Sequence, residues 1–163
     1  MVSSDRRRNE VMEALRTALR EYLGAVDAFD EGVAQELGIS RTDLRCIDLL
    51  ERRGTMTAGA LADGCGLSSG AMTFLLDRME RAGMVRRVRD PADRRRVLVE
   101  LVAAAGRRAW EVHRPMVEEM RALAARYGVD ELAMVCRFLT DAKAVYEKHA
   151  PTRRPRPAPP GSG

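Results

Sequence analysis

Long apolar runs are missing from this 163-residue chain. None exceeds a few residues, which excludes a membrane-spanning helix. The opening Met1-Val2-Ser3-Ser4-Asp5-Arg6-Arg7-Arg8 has no apolar segment behind its charges, so no secretory signal is expected. Cysteine is scarce. Cys46, Cys65 and Cys136 are an odd number at wide spacings, which excludes a disulfide framework and a CxxC metal site. Reduced thiols and a cytoplasmic protein are the expectation. The two histidines, His113 and His149, have no partner at metal-ligand spacing. No glycine-rich phosphate loop follows a strand and no nucleophile motif is present, so neither an enzyme nor a cofactor is expected.

What is present is a 45% hydrophobic chain, too apolar for a disordered one, and an uneven distribution of charge. Residues 1–40 carry five arginines against eight acids. The eleven residues 86–96 carry six arginines against Asp90 and Asp93. Such a basic stripe is the footprint of a polyanionic partner. The plainer reading is a solvated charged loop.

Periodicity supplies the elements. Residues 9–37 read as a long helix, with Val11, Leu15, Ala18, Leu19, Tyr22, Leu23, Val26 and Phe29 or Val33 at spacings of three and four. Gly38 ends it, and Ser40 with Asp43 predicts the capped start of a second helix that buries Leu44, Ile47 and Leu50. Gly54 stops that helix. Thr57 caps a short third helix over Ala58 to Asp63, Gly64-Cys65-Gly66 is a tight turn, and Cys65 is expected to be rather exposed. Ser68 or Ser69 caps a fourth helix over 69–82. Its Met72, Leu75, Leu76 and Met79 form a core stripe, and Ala71, Thr73, Phe74, Arg78 and Arg81 lie opposite.

The period then changes to that of two strands, about 84–89 and 97–101, joined by Asp90-Pro91-Ala92-Asp93-Arg94-Arg95 as a hairpin with a basic tip. A helix follows over about 103–127, with Pro115 bending it or marking a boundary. Asp130 caps a last helix to about Lys148. From Pro151 the chain is Pro-rich and expected to be disordered.

Helix, short helix, turn, helix and basic hairpin is the order of a winged helix-turn-helix. Small residues at the start of the fourth helix (Ser68, Ser69, Gly70, Ala71) let a backbone approach DNA closely, and helix N-terminal N–H groups favour phosphate. Such a helix fits the major groove, and hairpin arginines can enter the neighbouring minor groove.

Residues 39–101 resemble the MarR (multiple antibiotic resistance regulator) family of transcription factors. The resemblance is carried by Leu61-Ala62, by Gly66-Leu67-Ser68-Ser69, by Met72-Thr73, by Leu76-Asp77-Arg78-Met79-Glu80-Arg81-Ala82-Gly83-Met84-Val85, and by Arg86-Arg87 with Asp90-Pro91-Ala92-Asp93-Arg94-Arg95. It implies an α-rich fold and a homodimer whose interface is made by residues 9–37 and 103–149. It also implies that Arg95 reaches the minor groove while Asp93 holds it and a strand arginine, Arg87, in place. Phe74 departs from the family pattern, which often has Arg, Lys or a small residue there. It either contacts a thymine methyl or packs against the wing or the short third helix. Leu101-Val102-Ala103-Ala104-Ala105-Gly106 lacks the family's threonine cap at the start of the fifth helix.

The family's redox-sensing branch uses a cysteine near the start of the first helix, and none precedes Cys46 here. The resemblance puts Cys46 near where relatives hold small ligands, with a small core residue as the alternative. Trp110 and His113 line a pocket between the dimer helices and the DNA lobe, or are packed or solvent-exposed. The expectation is one domain over 1–149, with a winged lobe over 40–101, a dimerisation region over 9–37 and 103–149, and a tail over 150–163. Its expected function is that of a homodimeric repressor on a pseudo-palindromic DNA site, modulated by a small molecule. Its expected DNA-binding residues are Ser68, Ser69, Gly70, Ala71, Thr73, Phe74, Arg78, Arg87, Asp93, Arg94 and Arg95. The rival is a winged-helix module that binds a protein and not DNA.

Overall fold

Capping hydroxyls and glycines cut the chain into its elements. A computed structural model describes residues 2–93 and 96–150. The elements are α1 (Val2–Leu37), α2 (Arg41–Arg53), β1 (Met56–Thr57), α3 (Ala58–Cys65), α4 (Ser69–Arg81), β2 (Val85–Arg89), β3 (Val97–Leu101), α5 (Ala103–Ala124) and α6 (Val129–His149). Ser40 opens α2 with a reciprocal box: Asp43 N–H donates to Ser40 Oγ, and the Asp43 carboxylate accepts from the Ser40 N–H at 3.0 Å. Thr57 and Ser68 cap α3 and α4 by accepting from the N–H groups of Ala60 and Ala71. Each satisfies one of the donors that a helix start leaves without an intrahelical partner. The Pro-rich segment 151–163 lies outside the described residues.

The sheet has three antiparallel strands in the order β1-β3-β2, and not the two expected from sequence. Met56 pairs with Val99 and Thr57 with Leu98, while Val85 to Arg89 run against Leu101 to Val97. Two residues are too short a run to show a period, so β1 had no signature. α1 starts at Val2, seven residues before the expected start.

The third helix also runs further than expected. It continues through Gly64 and Cys65, and the reversal falls on Gly66 alone, in the left-handed region at φ 65°. Gly64 serves a different need. A Cβ there would stand 2.8 Å from Leu49 Cδ1, so the missing side chain lets α3 lie close against α2. The extra turn carries Cys65 onto the buried face with Leu61 and Ala62, which corrects its expected exposure.

The chain divides into two compact units, residues 1–115 and 116–163. The core of the first gathers Val33, Ala34 and Leu37 of α1, five side chains of α2, and the stripe Met72, Leu75, Leu76 and Met79 of α4. Met56, Val85, Val99 and Ala109 complete it with Leu61, Ala62 and Cys65 of α3. Met72 and Leu76 are each only 1% exposed, as the i, i+3, i+4, i+7 spacing predicts. Only the last turns of α1 join this core. Val11, Met12, Tyr22, Leu23 and Val26 remain exposed.

In the second unit α6 has no buried residue, and Val135, Phe138, Leu139, Val145 and Tyr146 are exposed. α6 begins after Gly128 and not at an Asp130 cap, because Glu131 reaches back to accept from the Gly128 N–H at 2.7 Å. α5 passes through Pro115 as helix and ends at Ala124, three residues short of the expected end. Its start needs no threonine: the Val102 carbonyl accepts from Ala105 and Gly106. Among the described residues no helix is long and apolar enough to cross a membrane.

Candidate nucleic-acid interface

The buried stripe of α4 fixes which of its faces is open. Ser69, Gly70, Ala71, Thr73 and Phe74 all lie on the exposed side, beyond the Ser68 cap. Nothing stands within 4 Å of where a Cβ on Gly70 would be, so the helix start is open to a close neighbour. Phe74 is 66% exposed. Of the two expectations for it, close packing against the wing or α3 does not fit so open a side chain, while its neighbours Met72 and Leu75 fill the core.

Two arginines expected to touch DNA are engaged within the lobe. Arg78, near the end of α4, donates from Nη2 to Asp43 Oδ1 at 2.5 Å and to Ser40 Oγ at 3.3 Å. Asp43 is 4% exposed, so one carboxylate closes the α2 box and anchors α4. The box was legible in the sequence, but the arginine that completes it was not, being 35 residues away.

Arg87 lies on β2, on the same side of the strand as buried Val85 and facing α4. Its Nη2 stands 2.5 Å from Asp77 Oδ1, and its other terminal nitrogen binds Glu80. The Glu80 carboxylate also accepts from the Arg87 N–H at 3.2 Å. The hydrogen bond to Asp77, then that to Glu80, holds the guanidinium proton more firmly than usual. Arg87 was expected to pair with Asp93; the two acids of α4 are partners not expected from sequence. The acids of α4 sit one turn apart and form a fork that the strand arginine fills, which ties the wing to the helix.

The turn of the wing is closed by Asp90 N–H to the Arg96 carbonyl (3.0 Å) and Arg96 N–H to the Asp93 carbonyl (2.9 Å). Asp90 Oδ1 accepts from Ala92 N–H, the local bond for which Asp is favoured at turns. Arg86 pairs with Glu100 across the ladder. Arg89 is exposed and has no ion-pair partner among the described residues. Arg94 and Arg95 lie outside the described residues.

The expected ligand residues do not come together. Cys46 is fully buried in the first unit's core. Burial, then the neighbouring Cys65 and Asp43, pushes its thiol up to about 12. Trp110 is exposed, and His113 packs edge-on against Phe29 at 5.7 Å while its Nδ1 lies 2.9 Å from the Ala109 carbonyl oxygen. A cavity of about 220 Å³ lies elsewhere in the first unit, lined among others by Leu37, Ile39, Ile47, Met84, Ala104 and Arg108. Sequence periodicity could not find it, since its lining comes from the end of α1, the middle of α2, the turn between α4 and β2 and the start of α5.

The pattern describing the MarR family matches residues 39–97. The HTH-type transcriptional regulator YcgE of Bacillus subtilis (strain 168) is 38% identical over 144 residues, which cover 86% of this chain and 94% of that protein. The solved structure of a MarR family protein from Bacillus stearothermophilus superposes with a TM-score of 0.66 at 22% identity, over 85% of this chain and 97% of that one. That of NadR in complex with 4-hydroxyphenylacetate gives 0.62 at 23% identity, over 78% and 91%. At these identities the two structures speak for the fold.

Proposed function

This chain belongs to the MarR family of HTH-type transcriptional regulators, and on that premise we propose that it is a homodimeric repressor of promoters carrying a pseudo-palindromic DNA site. The observation that carries the proposal is the open face of α4. Its opposite face is locked into the core, and the wing is tied to its side by Arg87. The N-terminal half of α4 enters the major groove, with Ser68, Ser69, Gly70, Ala71, Thr73 and Phe74 toward the bases and backbone. Asp93, Arg94 and Arg95 bring the wing tip to the neighbouring minor groove, whose potential attracts guanidinium. Arg87 and Arg78 act by holding the wing and α4 in place.

Two copies pair through the apolar faces of α1 and α6. The exposed Val11, Tyr22, Leu23, Phe138 and Leu139 support this, because apolar faces of that extent are uncommon on a monomer. The recognition helices of the pair then enter successive major grooves about 34–36 Å apart. Occupying the promoter excludes the transcription machinery. A small molecule shifts the affinity by changing the spacing of the lobes. NadR, solved with 4-hydroxyphenylacetate, supports that last step, as does a cavity whose apolar lining includes one arginine, Arg108.

The test is to enrich DNA from the protein's own genome with the full chain and measure stoichiometry by light scattering. Two chains per duplex are expected. A single chain per duplex, or no enriched DNA, contradicts the proposal.

A further inference from the structure

The open face of α4 has little with which to hydrogen-bond a base. Specific readout of guanine or adenine uses a free Arg, Lys, Asn or Gln placed against a base edge. The helix, Ser-Gly-Ala-Met-Thr-Phe-Leu-Leu-Asp-Arg-Met-Glu-Arg, contains no Lys, Asn or Gln. Its Arg78 is drawn toward Asp43 and Ser40. Arg81, in the last turn, donates from Nε to the Asp77 carbonyl at 3.1 Å. The Asp77 carboxylate is taken by Arg87. The Thr73 hydroxyl donates to the Ser69 carbonyl at 3.0 Å, which leaves its oxygen free only to accept.

Beside the small Ser69 and Thr73 hydroxyls, the largest group this face presents is apolar: the Phe74 ring, two-thirds exposed, with Ala71 one turn before it. An exposed phenyl ring gains nothing in the free lobe and gains wherever water is displaced from it. The floor of the major groove offers one apolar group, the 5-methyl of thymine. We propose that Phe74 is the specificity-determining residue of α4 and selects thymine by contact with that methyl, so that each half-site carries a thymine fixed by this ring. The inference rests on the reading that α4 enters the major groove.

The test uses the full chain. A duplex is selected from a random pool, and each thymine of its two half-sites is replaced in turn by uracil, which removes the 5-methyl alone. Affinity is measured by fluorescence anisotropy for the wild type, Phe74→Ala and Phe74→Leu. One thymine per half-site is expected at which uracil weakens the wild type about 4-fold per half-site, the factor that one buried methyl corresponds to. At that position Phe74→Ala binds the thymine and uracil duplexes equally, and Phe74→Leu discriminates less than the wild type. Putting 5-methylcytosine there, paired with guanine, binds the wild type better than cytosine does. If a selected duplex is bound tightly but no uracil replacement matters, or if the discrimination persists in Phe74→Ala, the inference is overturned while the DNA-binding reading stands. If no duplex is selected, both fall.

Discussion

Arg87 of β2 and Asp77 of α4 stand 2.5 Å apart, nitrogen to oxygen, and Glu80 takes the same guanidinium from one turn further along. These ion pairs add to the packing between the strand and the helix and hold the wing against α4. The charges also cancel where they would matter, since two carboxylates beside a phosphate backbone would repel it.

Removing one of these acids separates positioning from simple charge. Asp77→Ala or Glu80→Ala is expected to weaken DNA binding although each removes a negative charge. Stability should change little, because ion pairs this exposed contribute about 0.2–1 kcal/mol. Anisotropy titrations beside a thermal melt check this. Tighter binding in either variant would mean that the wing needs no clamp.

The two faces of α4 should respond oppositely to truncation. Leu75→Ala or Leu76→Ala is expected to cost about 2–5 kcal/mol in a urea melt, as buried leucines do. Thr73→Ala should leave stability unchanged or raise it by a few tenths of a kcal/mol, roughly the gain in helix propensity, while weakening specific binding. If Thr73→Ala proved the more destabilising change, the face assignment would be reversed.

Most of the lobe was legible in the sequence, and the reason is local. The Ser40–Asp43 box, the four-residue core stripe of α4 and the Pro-Asp turn of the wing each depend on residues within one or two turns of one another. What was missed is non-local or short. Arg78 meets Asp43, and Arg87 meets Asp77 and Glu80, across elements. β1 is two residues long, and the close approach of Leu49 that requires Gly64 comes from a different helix. The apolar period of α1 was read correctly as a period. That most of it faces outward in a single chain is what the resemblance implies by putting 9–37 at a dimer interface; the period alone does not say so, because a stripe that packs inward and one left open have the same spacing.

Asp43 links three groups and is expected to be the costliest polar residue of the lobe to lose. Asp43→Ala strips an acceptor from Arg78 and from both the N–H and hydroxyl of Ser40. A loss of about 1–3 kcal/mol is expected from the stranded partners. Arg78→Ala alone should cost less, since its side chain is half-exposed and its removal leaves the box intact. A double-mutant cycle read by urea melts checks the coupling. Additive losses would show that the two residues act separately.

The buried thiol of Cys46 makes a pH prediction. Its pKa is raised from 9.0 to about 12 in the folded protein, mainly by burial. The folded state therefore keeps the proton that the unfolded chain gives up. Its contribution is complete below pH 9 and is lost as pH rises through about 12. Over that window the wild type should lose stability faster than Cys46→Ala, by up to about 1.4 kcal/mol per pH unit for one proton. Parallel curves for the two proteins would contradict a buried, protonated thiol.

The central claim is that the open face of α4 and the basic wing together bind DNA as a pair of copies. It is tested most directly by the salt dependence of affinity for a selected duplex, measured for the wild type and Arg95→Ala. Log K should fall linearly with log salt for both. The slope should become shallower by about 1 per half-site, and so by about 2 for the dimer, when Arg95 is removed, with an unchanged melting temperature. An unaltered slope and affinity in Arg95→Ala would contradict the account.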